Sequence, residues 1–242
     1  MKTLYIAWQD PKSRSWTPVG KLTREDDAYR FVYTKGAEQF SNFRPFGRMN
    51  DLHTAYVSNE LFPLFSNRIL SKSRPEYREY LQWLGLNESN YDELDELSRT
   101  GGLRTTDSVE LIPCPNKTHD ARYEVFFFTR GLRHFFPDYQ KRAENLSCGD
   151  QLFLIQDVQN KFDPSALLLR TNDPMSLIGY VPRYYSGEFS YLLGVNEADA
   201  VKVSVVRLNE NAPMQYRVLC KLQSPWPSNF MPCSNDEFKV LA

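Results

Sequence analysis

The residues best placed to do chemistry are Asn160, Phe162 and Asp163, which stand in the segment Asn160-Lys161-Phe162-Asp163-Pro164. Asn and Asp side chains bond local backbone and hold tight turns, while Pro164 pushes Asp163 out of the helical region and fixes its own φ. The segment therefore presents one aromatic ring between two short polar side chains on a stiff loop. Such a trio suits recognition, because the ring offers a face for stacking and the amide and carboxylate offer hydrogen-bond acceptors. Catalysis finds less support. His53, His119 and His134 are the only histidines, and the chain has no Gly-x-Ser-x-Gly elbow, phosphate loop or His-Glu-x-x-His helix. Asp92, Glu93, Asp95 and Glu96 read as the solvated face of one helix rather than a metal cluster. The expectation is a binding protein that is not an enzyme and uses no metal or cofactor.

The elements around the loop follow from the apolar pattern. Residues 152–155 and 166–169 are short apolar runs bounded by breakers, so both read as buried strands. Residues 177–183 read as a third strand ended by Pro182, and residues 184–193 as a short helix. Upstream, residues 123–128 open as an apolar strand from which residues 130–134 extend or bulge, and residues 137–145 look polar and loop-like. Downstream, residues 200–206 and 215–222 alternate as two further strands. The tail at 225–232 carries Trp226 and Phe230 as a strap over a core. The sum is a small β-barrel of six or seven strands, OB- or SH3-like, with a short helix.

The front half has a different rhythm. Residues 4–8 and 17–22 form a hairpin across the polar turn Asp10-Pro11-Lys12-Ser13-Arg14, and Tyr29, Phe31 and Tyr33 give the period-2 signal of a third strand. Residues 36–51 show no sustained period. Leu61, Leu64, Phe65 and Ile69 then place a helix over residues 59–70. Tyr77, Tyr80, Leu81 and Leu84 mark a second helix closed by Gly85, and residues 91–100 form a third, stopped by Gly101-Gly102. An edge strand near Val109 and Leu111 precedes a proline-punctuated linker. The class is α+β, with a docking domain at 1–112, a linker at 113–121 and a β-domain at 122–242.

Composition narrows the options. With 29 basic and 30 acidic side chains in 242 residues the net charge is near neutral. Coating duplex DNA non-specifically requires the neutralisation of many phosphates, which this balance disfavours; a small site reading one strand end remains open. Cys114, Cys148, Cys220 and Cys233 are dispersed, which suits reduced thiols in the cytoplasm better than a zinc site. No apolar run reaches membrane length, and polar residues interrupt the amino terminus where a secretory signal would be continuous.

Four stretches together resemble the HIRAN domain: Gly131-Leu132-Arg133-His134-Phe135, Gly149-Asp150, Asn160 through Ala166, and Ile178-Gly179-Tyr180-Val181-Pro182-Arg183. The resemblance implies a site for single-stranded DNA ending in a free 3′-hydroxyl. On it, Asp163 accepts from the terminal hydroxyl, Phe162 stacks on the last base and Asn160 shapes the sugar end. Arg133, His134 and Phe135 flank the terminal nucleotides, and Tyr180 and Arg183 meet phosphates. Phe162, His134 and Phe135 stand where DNA-binding members usually carry tyrosine, and Pro182 replaces a basic residue. The same residues also admit a structural reading, in which Asn160 and Asp163 simply build a turn, Phe135 and Phe162 are core, and Arg133 and Arg183 are surface ion-pair partners. Residues 19–22, 29–33 and 61–70 resemble the small amino-terminal subdomain of HipA-type toxin kinases, without any following phosphate or catalytic loop. The implied role is a sensor or targeting subunit in bacterial DNA repair, restriction or phage defence, joined through the front domain to a nuclease, helicase or kinase. The alternative is a protein-interaction module regulating a HipA-like kinase or a defence complex, which would expose Phe43, Phe46 and Phe62 as an apolar patch.

Overall fold

Strands β1 (Lys2–Gln9) and β2 (Trp16–Glu25) pair antiparallel around a turn that Asp10 specifies. One Asp10 carboxylate oxygen accepts from the Ser13 amide and hydroxyl, each at 2.7 Å, and the other accepts from Asn42 Nδ2 at 2.7 Å. These donors, Asn42 foremost, hold its carboxyl down at about 2. With β3 (Ala28–Tyr33), β4 (Tyr56–Ser58) and β5 (Val109–Pro113), they form an antiparallel sheet ordered β4-β3-β2-β1-β5. The helices of this region are α1 (Pro63–Ser66) and α3 (Glu93–Thr100); α2 (Tyr77–Trp83) stands between them in sequence. Phe65 of α1 and Leu94 and Leu97 of α3 join Leu4, Ile6, Leu22 and Phe31 in one core. The coordinates are a computed structural model that describes residues 2–197 and 199–242.

Three front-half expectations change. The helix expected over 59–70 is the single turn α1, because Phe62 before Pro63 is extended at φ −53° and ψ 142°. Beyond it the chain turns so that buried Arg68 donates to Leu64 O, Gly102 O and Asp107 at 3.0, 2.7 and 2.7 Å. The acidic residues of α3 are not a solvated face. Glu96 is fully buried and accepts from the Leu70 amide at 2.9 Å and the Tyr91 hydroxyl at 2.7 Å, while Glu93 accepts from Tyr29 at 2.6 Å. Phe43 is buried, and Phe46 and Phe62 pack partly buried against the same core, so they do not form the exposed patch of the alternative reading.

Contacts divide the chain into two units, one comprising Met1–Tyr77, Asn90–Cys114 and Met231–Ala242, the other Arg78–Ser89 and Pro115–Phe230. The second unit contains β6 (Arg122–Phe128), α4 (Pro137–Glu144), β7 (Gln151–Gln156), β8 (Leu167–Arg170), β9 (Leu177–Tyr180), α5 (Arg183–Val195), β10 (Lys202–Leu208) and β11 (Val218–Pro225). Its strands form a six-stranded antiparallel sheet ordered β6-β11-β10-β7-β8-β9. The sheet curls. Just past β6, Arg130 exchanges two backbone hydrogen bonds of 2.8 Å with Tyr180 at the end of β9. Gly179 permits this closure: its φ is +135°, and a Cβ there would lie 2.8 Å from Arg130 O. Tyr123, Phe127, Leu152, Leu169, Ile178, Tyr185 and Phe189 fill the interior, with Tyr185 and Phe189 stacked at 5.2 Å. Trp226 and Phe230 close over Tyr123 at 6.1 and 5.8 Å, as a strap would.

The α+β class and the curled β-domain match the sequence reading. Residues 137–145 do not: they hold the helix α4, invisible to periodicity because only Ala143 is buried on it, although Pro137 at its first position marks the start. None of the four cysteines is joined in a disulfide; Cys148 is exposed and Cys220 buried. Among the described residues no helix is long and apolar enough to cross a membrane, and no His/Cys/Asp/Glu group is arranged to hold a metal ion.

Candidate functional site

The loop between β7 and β8 is built by its own polar side chains. Asn160 Oδ1 accepts from the amides of Phe162 and Asp163, both at 3.0 Å, which folds the backbone into an Asx-type turn. Asp163 Oδ1 accepts from the Ser165 amide at 3.0 Å. Between these two anchors the Phe162 ring is left 84% exposed. An exposed ring on a backbone held at both flanks is unusual for a residue that favours the interior.

The second edge of the site comes from the segment after β6. Gly131 adopts φ +74° and starts a 3-10 turn over Leu132–His134, so Arg133 and His134 lie on a turn rather than on an extended strand. The left-handed glycine breaks the strand, and buried Leu132 anchors the turn below. Arg133 Nε donates to His134 Nε2 at 3.0 Å. Both side chains are exposed. Phe135 is half-buried and stacks on Tyr180, with centroids 5.8 Å apart and planes at 21°. Gln140 Nε2 on α4 donates to Phe135 O at 2.8 Å and steadies the turn.

The third edge is the step from β9 into α5. Arg183 opens α5 exposed, and its Nε lies 3.9 Å from Asp163 Oδ2. That ion pair is long, with Arg183 exposed and the Asp163 side chain largely covered, and a contact at this distance is weak. The Tyr180 hydroxyl does not project freely, since it donates to Asp157 Oδ2 at 2.8 Å. Asp157 Oδ2 also accepts from Asn160 Nδ2 at 3.0 Å. The Tyr180 bond, then the Asn160 bond, lower the Asp157 pKa; burial and then the Asp157 carboxylate raise that of Tyr180.

Residues 122–226 match the family model of the HIRAN domain. No curated protein matches the chain. Among solved structures, a protein from Lactobacillus plantarum is 18% identical, with 42% of this chain and 95% of that chain covered and a TM-score of 0.32. The HIRAN domain of human HLTF is 13% identical, with 44% of this chain and 80% of that chain covered and a TM-score of 0.31.

Within the matched residues 122–226, direct contacts link Asn160 to the backbone of Phe162 and Asp163, Asp163 to Arg183, and Phe135 to Tyr180. Arg133 and His134 contact each other. Asp157 joins the two groups by holding both Tyr180 and Asn160, and the sequence reading did not single it out. Its signal was faint: an Asp three residues before an Asn, both in a turn. Phe136 is a second ring missed from sequence, 77% exposed at the start of α4. The arrangement offers an exposed ring, a carboxylate beside a loosely held guanidinium, and two further cations, Lys161 and Arg133, exposed to solvent.

Proposed function

We propose that this HIRAN domain binds single-stranded DNA at an end bearing a free 3′-hydroxyl. The observation that carries the reading is Phe162, held face-out by a backbone clamped at Asn160 and Asp163 and adjacent in sequence to the carboxylate that would receive the hydroxyl. Base stacking on such a ring is worth roughly 1–3 kcal/mol. Asp163 Oδ1 already serves the Ser165 amide, and Oδ2, met among the described residues only by the 3.9 Å contact to Arg183, remains available as an acceptor. A terminal hydroxyl would donate to Oδ2, while the adjacent phosphodiester would draw Arg183 away from Asp163. Arg133, His134 and Phe135 would flank the last nucleotides. A 3′-phosphate would place its negative charge against Asp163 and be disfavoured.

The protein would then act as a non-enzymatic sensor or targeting subunit in bacterial DNA repair, restriction or phage defence, with the front unit engaging a nuclease, helicase or kinase. That wider role rests on the family resemblance of the two halves. The test of the site is fluorescence anisotropy with a short single strand ending in a 3′-hydroxyl beside the same strand ending in a 3′-phosphate. Preference for the hydroxyl end, lost in Asp163→Ala, supports the reading. Equal affinity for the two ends would refute it.

A further inference from the structure

Tyr180 sits at the junction of everything the site uses. Its backbone closes the curled sheet against Arg130, its ring stacks on Phe135, and its hydroxyl donates to Asp157. Asp157 is tied in turn to the ligand-facing loop: its amide donates to Ala166 O at 2.9 Å, its carbonyl accepts from the Asn160 amide at 3.1 Å, and its carboxylate holds Asn160 Nδ2 at 3.0 Å. Asn160 then fixes the amides of Phe162 and Asp163. One continuous path of hydrogen bonds and one ring stack therefore runs from the turn at Leu132–His134 through β9 to the loop tip.

We infer that Asp157 and Tyr180 are positioning residues, an internal strut that sets the height and angle of Phe162 and Asp163, and that the Tyr180 hydroxyl makes no contact with ligand phosphate. The geometry supports a division of labour. A hydroxyl that has already given its single proton to a carboxylate at 2.8 Å has none to give a phosphate oxygen, and that carboxylate would repel the phosphate. The bond is charge-assisted, hence among the stronger kind, and spans 23 residues of sequence, so it joins segments that no local turn connects. Asp157 favours its ionised form because Tyr180 and Asn160 both donate to it, as a persistent acceptor in the strut requires. The inference rests on the proposed end-binding role of Phe162 and Asp163, although the strut itself exists without any ligand.

The experiment separates these two layers. Hydrogen exchange is measured on the full chain without DNA, comparing wild type, Tyr180→Phe and Asp157→Asn. Tyr180→Phe keeps the ring and its stack on Phe135 and removes only the hydroxyl, and far-UV circular dichroism confirms that each variant is folded. Exchange in the 157–166 loop is expected to quicken in both variants, by roughly 10- to 150-fold in Tyr180→Phe, which loses one charge-assisted hydrogen bond, with β6 and β11 unchanged. Unchanged loop exchange in Tyr180→Phe would overturn the strut. Anisotropy with the 3′-hydroxyl strand is then run on both variants. Weaker binding in both supports positioning, whereas weaker binding in Tyr180→Phe with undiminished binding in Asp157→Asn, which leaves the hydroxyl in place and removes the neighbouring negative charge, would reveal a phosphate contact by the hydroxyl and overturn the assignment. If wild type binds no DNA while loop exchange responds as expected, the end-binding reading fails and the strut stands.

Discussion

Removing one ring distinguishes a recognition site from a well-built turn. In Phe162→Ala the ring that is lost is 84% exposed, so roughly one sixth of its surface is covered by protein. Full burial of a phenylalanine is worth about 1.5–3 kcal/mol, which puts the folding cost of this substitution near 0.25–0.5 kcal/mol. The effect on binding is far larger if a base stacks on the ring, about 1–3 kcal/mol or roughly 5- to 150-fold in Kd. The comparison is Phe127→Ala, which empties a position that is 2% exposed and should destabilise by about 3–5 kcal/mol. The assay pairs urea unfolding of both variants with anisotropy on a 3′-hydroxyl single strand. Phe162→Ala should unfold with wild type and bind poorly. A variant that binds as wild type does, or one that loses more than about 1 kcal/mol of stability, would show that the ring packs rather than stacks.

Other consequences can be tested alongside. Asp163→Ala removes the acceptor for the Ser165 amide, which should lower stability by about 1 kcal/mol, and should abolish the preference for a 3′-hydroxyl over a 3′-phosphate in competition binding. Gly179→Ala places a Cβ 2.8 Å from Arg130 O at φ +135° and should cost about 1–3 kcal/mol in urea denaturation, whereas Gly187→Ala, with open space around it, should be neutral or slightly stabilising. The Asp10 carboxyl is lowered in the folded chain to about 2, so its contribution to stability is complete above the unfolded value near 3.9 and is lost as pH falls from there toward 2. Urea midpoints between pH 5 and pH 2 should therefore fall less steeply in Asp10→Asn than in wild type, and an identical acid slope would remove Asp10 from the account.

What the chain discloses about itself depends on how far apart the bonding partners lie. The 160–163 turn was legible because Asn160 and Asp163 satisfy backbone amides two or three residues away. The end of α3 was legible for the same reason, since Gly101 takes φ +69° directly after the last turn. Glu96 was misread because its donors, Leu70 and Tyr91, include one 26 residues away, and helical spacing alone made it look solvated. Asp157 escaped notice because Tyr180 lies across two strands. The segment after β6 was read as an extension or bulge of the strand; the left-handed Gly131 ends the strand instead, and no alternation marked where. Helix α4 was hidden by a composition in which one alanine does the packing.

The closure between Arg130 and Tyr180 has a thermodynamic side. Two backbone hydrogen bonds make it a narrow seam, and the segments that leave it, Arg130 into the turn with Arg133 and Tyr180 toward Arg183, carry opposite flanks of the site. A ligand touching both flanks would act as a clasp, binding the closed seam and not the open one. By mass action it would shift that local equilibrium by RT ln(1 + [L]/Kd), about 2.7 kcal/mol at a hundredfold excess over Kd. The Arg130 and Tyr180 amides, each bonded across the seam at 2.8 Å, would then exchange more slowly in step with occupancy, making the fold's own fastening a gauge of what it holds.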